Sequence, residues 1–147
     1  MKKIVFLLIL FPTIFCSGCK KEDLTDTTDI TQYSWKVKSI TINGNKENRP
    51  KKDCHNEKLP DNDYALNFQD DSLFTLYLND NNLKGIISIQ EIGIISFNKG
   101  GITLIGCESK FSYQLIEIIT KITTYQVLSN CLILKGSDIE IEFEKEK

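Results

Sequence analysis

Asp63-Tyr-Ala-Leu-Asn-Phe-Gln-Asp-Asp-Ser-Leu-Phe-Thr-Leu-Tyr-Leu78 is the stretch on which the fold turns. Tyr64, Leu66 and Phe68 fall on alternate positions, Asp70-Asp71 interrupts them, and Phe74, Leu76 and Leu78 resume the alternation. Successive side chains of an extended chain point to opposite faces, so each half buries one face. The acidic pair between the halves supplies a turn, and the stretch predicts a β-hairpin.

The same grammar continues downstream. Gly85-Ile-Ile-Ser-Ile89 and Gly93-Ile-Ile-Ser-Phe97 are near copies that predict a second hairpin turning around Gln90 and Glu91. From Ser109 to Thr123 the period changes. Phe111, Leu115, Ile118, Ile119 and Ile122 stand at i, i+4, i+7, i+8 and i+11, the apolar stripe of one amphipathic helix over about residues 109–122. Tyr125–Leu128 and Leu132–Leu134 read as short strands around Ser129-Asn130, and Asp138 to Glu144 alternates strictly.

Upstream, Ser34 to Ile42 carries its apolar set on Trp35 and Val37 and then on Ile40 and Ile42, a change of phase that predicts a bulge. Asn43-Gly44 ends this strand, and the polar run from Asn45 to Asn62, with Pro50 and Pro60, is expected to be a surface loop. Strands, one helix and strands again, without βα alternation, predict an α+β domain with a mainly antiparallel sheet, curled or barrel-like, packed on the helix.

The first 33 residues are of another kind. Lys2 and Lys3 precede an apolar stretch from Ile4 to Phe15, and Cys16-Ser-Gly-Cys19 follows, the order of a secretory signal. The stretch is short of the roughly 20 apolar residues that a helix needs to span a bilayer. Small residues before Cys19 resemble the lipobox of bacterial lipoproteins, with Cys16 standing where that pattern has an aliphatic residue. Residues 1–18 are thus expected to be a cleaved signal peptide and Cys19 the lipidated N-terminus. Its diacylglycerol and acyl chain (palmitate) would be the sole attached group, since one chain holds only marginally and two or more anchor firmly. Lys20 after the cysteine resembles outer-membrane sorting rather than inner-membrane retention, and Lys21-Glu22-Asp23 resembles the signal for surface export in Bacteroidota. The Thr- and Asp-rich segment to residue 33 reads as a flexible tether.

Composition limits what remains. The chain has 147 residues, 26% charged and 41% hydrophobic, enough for one ordinary globular domain over 34–147. Two of its 18 bases and none of its 20 acids fall in the leader, so the mature chain has 16 bases and a net charge of −4. No basic run lies among the aromatic residues, and this argues against a nucleic acid partner.

Taken in order, the elements resemble the META family, which includes bacterial heat-shock lipoproteins. Trp35 and Ile40 fit its opening W-x-x-x-x-I, Tyr64, Leu66 and Phe68 its Y-x-L-x-F strand, and Ile95 and Phe97 its I-x-F segment. Thr103 to Cys107 fits a T-x-x-x-C element, and Phe111, Leu115, Tyr125, Leu132, Leu134 and Phe143 the helix and closing strands. The family's G-C-N element is missing, and Asn79-Asp-Asn-Asn82 stands in that region. The resemblance implies a compact β-rich envelope protein linked to stress tolerance, with no catalytic residues.

Three cysteines remain in the folded part, in a compartment where thiols oxidise. Cys54 with Cys107 is the favoured bridge, Cys54 with Cys131 the rival, and three reduced thiols the third reading; the bridge would add about 4 kcal/mol in the chain-entropy model. His55, beside Cys54, is the chain's one histidine. A metal site or thiol dyad there is weighed against a solvated side chain, and the latter preferred. Asp61, Asp63, Asp70, Asp71 and Asp80 lack the spacing of a calcium loop and read as turn formers. Glu140, Glu142 and Glu144 share one strand face, and are read as acids that keep a sheet edge solvated. The expectation is a monomeric, non-enzymatic outer-membrane lipoprotein, facing the periplasm or the surface, that binds a protein or small ligand. Its alternative is a lipocalin-like module in which Trp35, Phe68 and Phe111 line an apolar ligand space; a Cys/His thiol enzyme is the third.

Overall fold

A computed structural model describes residues 29–52, 63–103 and 105–146. Among the described residues there are nine strands: β1 (Trp35–Ile42), β2 (Asn45–Asn48), β3 (Ala65–Phe68), β4 (Leu73–Tyr77), β5 (Asn82–Glu91), β6 (Ile94–Ile102), β7 (Thr124–Leu128), β8 (Cys131–Lys135) and β9 (Ile139–Lys145). Every pairing is antiparallel, in the order β2-β1-β3-β4-β5-β6-β7-β8-β9, and β9 returns to β1. Eight strands therefore close a barrel, and β2 lies outside the ring on the flank of β1 beyond β3. Closure removes the free edges that an open sheet would leave.

Inward positions follow the alternation in the sequence. Trp35, Val37, Leu66, Phe74, Leu76, Ile95, Phe97, Leu132, Leu134, Ile141 and Phe143 are buried in one core. In β1 the pairing with β9 slips between Val37 and Ser39, which is the bulge that the change of phase predicts, and it restores Ile40 to the inside. The hairpin of β3 and β4 pairs Leu66 with Leu76 and Phe68 with Phe74. Its turn is held by Asp70, whose Oδ1 accepts from the Ser72 hydroxyl at 2.7 Å and from the amides of Ser72 and Leu73 at 2.8 and 2.9 Å; those bonds keep the exposed carboxyl below its ordinary pKa. Leu78 lies one residue past β4 and is still buried.

α1 (Lys110–Ile118) continues into a 3-10 turn, Ile119–Lys121. Ser109 caps it, its Oγ accepting from the Ser112 amide at 3.0 Å. Phe111, Leu115, Ile118, Ile119 and Ile122, the residues of the expected stripe, are all buried in the same core. The 3-10 turn that follows the helix packs against β6. β6 and β7 share one paired position, Ile94 with Thr124, flanked by Tyr125 N–H to Gly93 O and Ile95 N–H to Thr123 O.

Several expectations need correction. Asn45–Asn48 is a strand, not loop: Asn43 (φ 51°) and Gly44 (φ +79°) form a two-residue turn with left-handed backbone at both positions, and Ile42 pairs with Asn45. The second hairpin turns at Ile92-Gly93 rather than Gln90-Glu91, since Gly93 supplies the positive φ, and β6 runs on to Ile102. β9 is no edge but the strand that closes the ring between β8 and β1. Packing also starts before residue 34: Asp29 caps a 3-10 turn, Ile30–Gln32, and Ile30 is buried in the core.

Candidate functional site

The three aromatic residues expected to line a ligand space fall in different surroundings. Trp35 is fully buried; its Nε1 donates to the Ile30 carbonyl at 2.8 Å and its ring meets Tyr33 edge-on. Phe111 packs edge-on against Tyr64 at 5.3 Å. Phe68 is only half-buried against the core. Trp35 and Phe111 thus spend their surfaces on the chain's own packing. Burial pushes the Tyr64 hydroxyl above its ordinary pKa, and Ser109 and Ser112, at 2.8 and 3.2 Å, pull the other way.

Cys19, Cys54 and His55 lie outside the described residues, as does Asp61. Cys107 is disulfide-bonded, and Cys131 is not. Cys131 is half-buried at the start of β8, opposite Glu144 and out of phase with the inward Leu132. Asp80 ties down the segment before the helix, its Oδ2 accepting from the Cys107 amide at 3.0 Å, while Glu108 Oε1 accepts from the Asp80 amide and from Asn81 Nδ2. Among the described residues no group of three or more His, Cys, Asp or Glu is placed to hold a metal ion, and no helix is long and apolar enough to cross a membrane.

The three glutamates of β9 differ. Glu144 is exposed, Glu140 reaches Lys135 at 3.5 Å, and Glu142 binds two lysines, Lys38 Nζ at 2.7 Å and Lys46 Nζ at 2.9 Å. Burial pushes the Glu142 carboxyl up, but the hydrogen bonds and charges of Lys38 and Lys46 outweigh it and leave its pKa below the ordinary value. Lys46 stands on β2, so this pair fastens the outlying hairpin to the barrel.

That hairpin forms one wall of a groove of about 440 Å³. Ile40 and Ile42 of β1 form its apolar base, Asn43, Asn45, Lys46 and Glu47 one side, and Lys110 and Gln114 of α1 the other. Its volume falls in the range of ligand clefts, about 300–1,000 Å³. Gln114 Oε1 is itself buried and has no hydrogen-bond partner among the described residues. A smaller depression of about 240 Å³ on the opposite part of the barrel wall, around Leu73, Phe74 and Ile86, offers little beyond apolar contact. The sequence hides the groove because Asn45-Lys-Glu-Asn48 has the polarity of a loop; Asn43-Gly44, a strong hairpin signal, is the clue to it.

No family model matches the sequence, and no curated protein does. Among solved structures the chain is similar to a DUF4847 family protein from Bacteroides vulgatus ATCC 8482, with a TM-score of 0.56 and 19% identity over 80% of this chain and 94% of that one. At that identity the likeness shows the fold alone, a β-barrel with a short helix.

Proposed function

We propose that this chain is a lipid-anchored envelope lipoprotein, held through Cys19 to the outer membrane, and that its barrel acts by binding rather than by catalysis. The resemblance to the META family supports a role in envelope stress tolerance. The binding site in this reading is the groove between the β1–β2 hairpin and α1, not the barrel interior.

One observation carries the choice of site: the groove joins an apolar base to amide and charged walls in a single cleft. Its position fits an anchored protein. The tether reaches the barrel at the start of β1, and the groove opens at the end of that strand, eight residues and about 25 Å further on. A ligand there would meet the protein on the side away from the membrane. The barrel's aromatic residues support the same choice, since Trp35 and Phe111 are taken up by internal contacts.

Two measurements test this. Fractionation of cells should place the chain in the outer membrane and Cys19→Ala should release or strand it; equal behaviour of the two would end the anchor reading. Ligand screening by NMR should move the signals of Asn45 and Gln114 before those of Trp35. Shifts confined to the barrel interior would return the site to the lipocalin-like alternative.

A further inference from the structure

We propose that the rim of the barrel carrying Ile92 and Ile94 rests on a neutral lipid surface, that of the bilayer to which the chain is tethered. This rests on the lipid anchor at Cys19 and adds which end of the barrel meets the membrane. The first ground is topology. β1, β3, β4 and β5 follow one another round the ring, each antiparallel to the one before. β5 therefore runs opposite to β1, and its turn into β6, at Ile92-Gly93, lies at the end where β1 begins. The tether enters at that same end. Ten residues separate Cys19 from Ile30, which is already buried in the core, and ten residues span at most about 35 Å. The tether thus keeps this rim close to the bilayer, while the groove and the segment before α1 lie at the other end.

The second ground is what that rim exposes. Ile92 is 71% exposed and Ile94 37%. Ile92 precedes Gly93 at the tip of the turn, and Ile94 opens β6 out of phase with the buried Ile95, so it points away from the core. β7 pairs with Ile94 at its first residue and runs toward the same rim, where its last residue, Leu128, is half-buried. One isoleucine left in solvent needs no explanation. Two that flank a turn at the tethered end present an apolar knob to the bilayer that the tether holds nearby.

The third ground is the tether itself. Two isoleucines hold a soluble protein to lipid poorly on their own. Tethering makes their contact intramolecular, at an effective concentration on the order of millimolar for a short flexible linker, so a weak contact becomes populated. The tether enters beside β1 and the turn follows β5, three strands further round the ring, so the two attachments stand apart on the rim and together set the barrel's tilt. Charge selects the lipid. Glu91 is exposed beside Ile92, and Asp70 and Asp71 are exposed in the β3–β4 turn at the same end. Two bases at this end are already engaged, Lys36 with Glu146 and Lys145 over the Tyr33 ring. An anionic surface would repel those acids, whereas a zwitterionic one leaves them solvated.

The test uses the full lipidated chain in vesicles of phosphatidylcholine and phosphatidylethanolamine, with a brominated phosphatidylcholine as quencher. Ile105 is the control, since it too is 71% exposed but lies past β6 at the other end. Tryptophan is placed at one position or the other, and the emission of Trp35, the chain's one native tryptophan, is subtracted. Ile92→Trp should be quenched at least about twofold more than Ile105→Trp, and adding phosphatidylglycerol should lower that quenching. If either substitution disturbs the fold, the wild-type chain in nanodiscs gives a second reading: nitroxide-bearing lipid should broaden the amide signals of Ile92 and Ile94 and spare that of Ile105. Flotation tests the anchor separately, since wild type should rise with the vesicles and Cys19→Ala should not. Equal quenching at the two positions, or none at either, in a chain that floats overturns the membrane contact and keeps the anchor. Quenching that grows with phosphatidylglycerol overturns the neutral surface. Wild type that fails to float ends the anchor reading and this proposal with it.

Discussion

A methyl group on Gly85 would stand 2.6 Å from Cε1 of Phe74 and inside contact distance of the Asn98 carbonyl. The Phe74 ring meets Phe97 edge-on at 5.1 Å, so it has no room to give way. Gly85→Ala should therefore cost about 1–3 kcal/mol, seen as a lower urea midpoint. Gly101→Ala, whose methyl meets nothing within 4 Å, should leave the midpoint nearly unchanged; equal effects would refute the packing argument. Glu142 makes a prediction about pH. Its folded pKa is depressed, so its contribution is fully present above the unfolded carboxylate value and is lost as pH falls through the folded one. Wild type should exceed Glu142→Gln in stability at pH 7, and the gap should close below about pH 4 and shrink in high salt. A gap that is flat with pH would sink the idea.

At the scale of elements, Ser109 is where helix and barrel are joined. Its hydroxyl accepts from the Ser112 amide and lies 2.8 Å from the hydroxyl of Tyr64, a residue at the start of the β3–β4 hairpin. Ser109→Ala removes the cap and one partner of a buried phenol. A loss of about 1–2 kcal/mol in thermal melts follows, with faster hydrogen exchange at the Ser112 amide; Ser109→Asp, which retains a capping oxygen, should recover part of it. The elements also show what sequence can and cannot deliver. The 64–78 hairpin, the β1 bulge and the helix stripe were legible because burial imposes a period of 2 or 3.6 on residues next to one another in the chain. β2 was not, because all four of its side chains are exposed and none of them carries a burial signal. The turn at Ile92-Gly93 lies two residues beyond Gln90-Glu91, and only backbone conformation distinguishes the two. The groove shared both difficulties: its walls are polar, and they come from segments more than sixty residues apart.

For the whole molecule, closure brings the two ends of the fold together. Trp35 pairs with Lys145, the Glu146 amide donates to the Ser34 carbonyl, and Lys145 Nζ lies 3.2 Å from the centroid of the Tyr33 ring. If Cys19 anchors the chain as proposed, a pull on the N-terminal segment would be borne by the β1–β9 ladder, which runs the length of both strands. Closure of the ring is local at that seam, whereas Cys107 sits at the far side of a connection that the sequence reading joins to Cys54. That reading fixes a stoichiometry. In the mature chain under denaturing, non-reducing conditions, one thiol, Cys131, should react with a maleimide, and three after reduction. Cys54→Ser should expose Cys107, giving two reactive thiols before reduction, and should lower the melting temperature, because the unfolded chain regains the freedom of a loop of more than fifty residues, about 4 kcal/mol in the chain-entropy model. Three reactive thiols without reductant in the wild-type chain would remove the bridge and leave the hydrogen bonds of Asp80 and Asn79 to hold Cys107 in place.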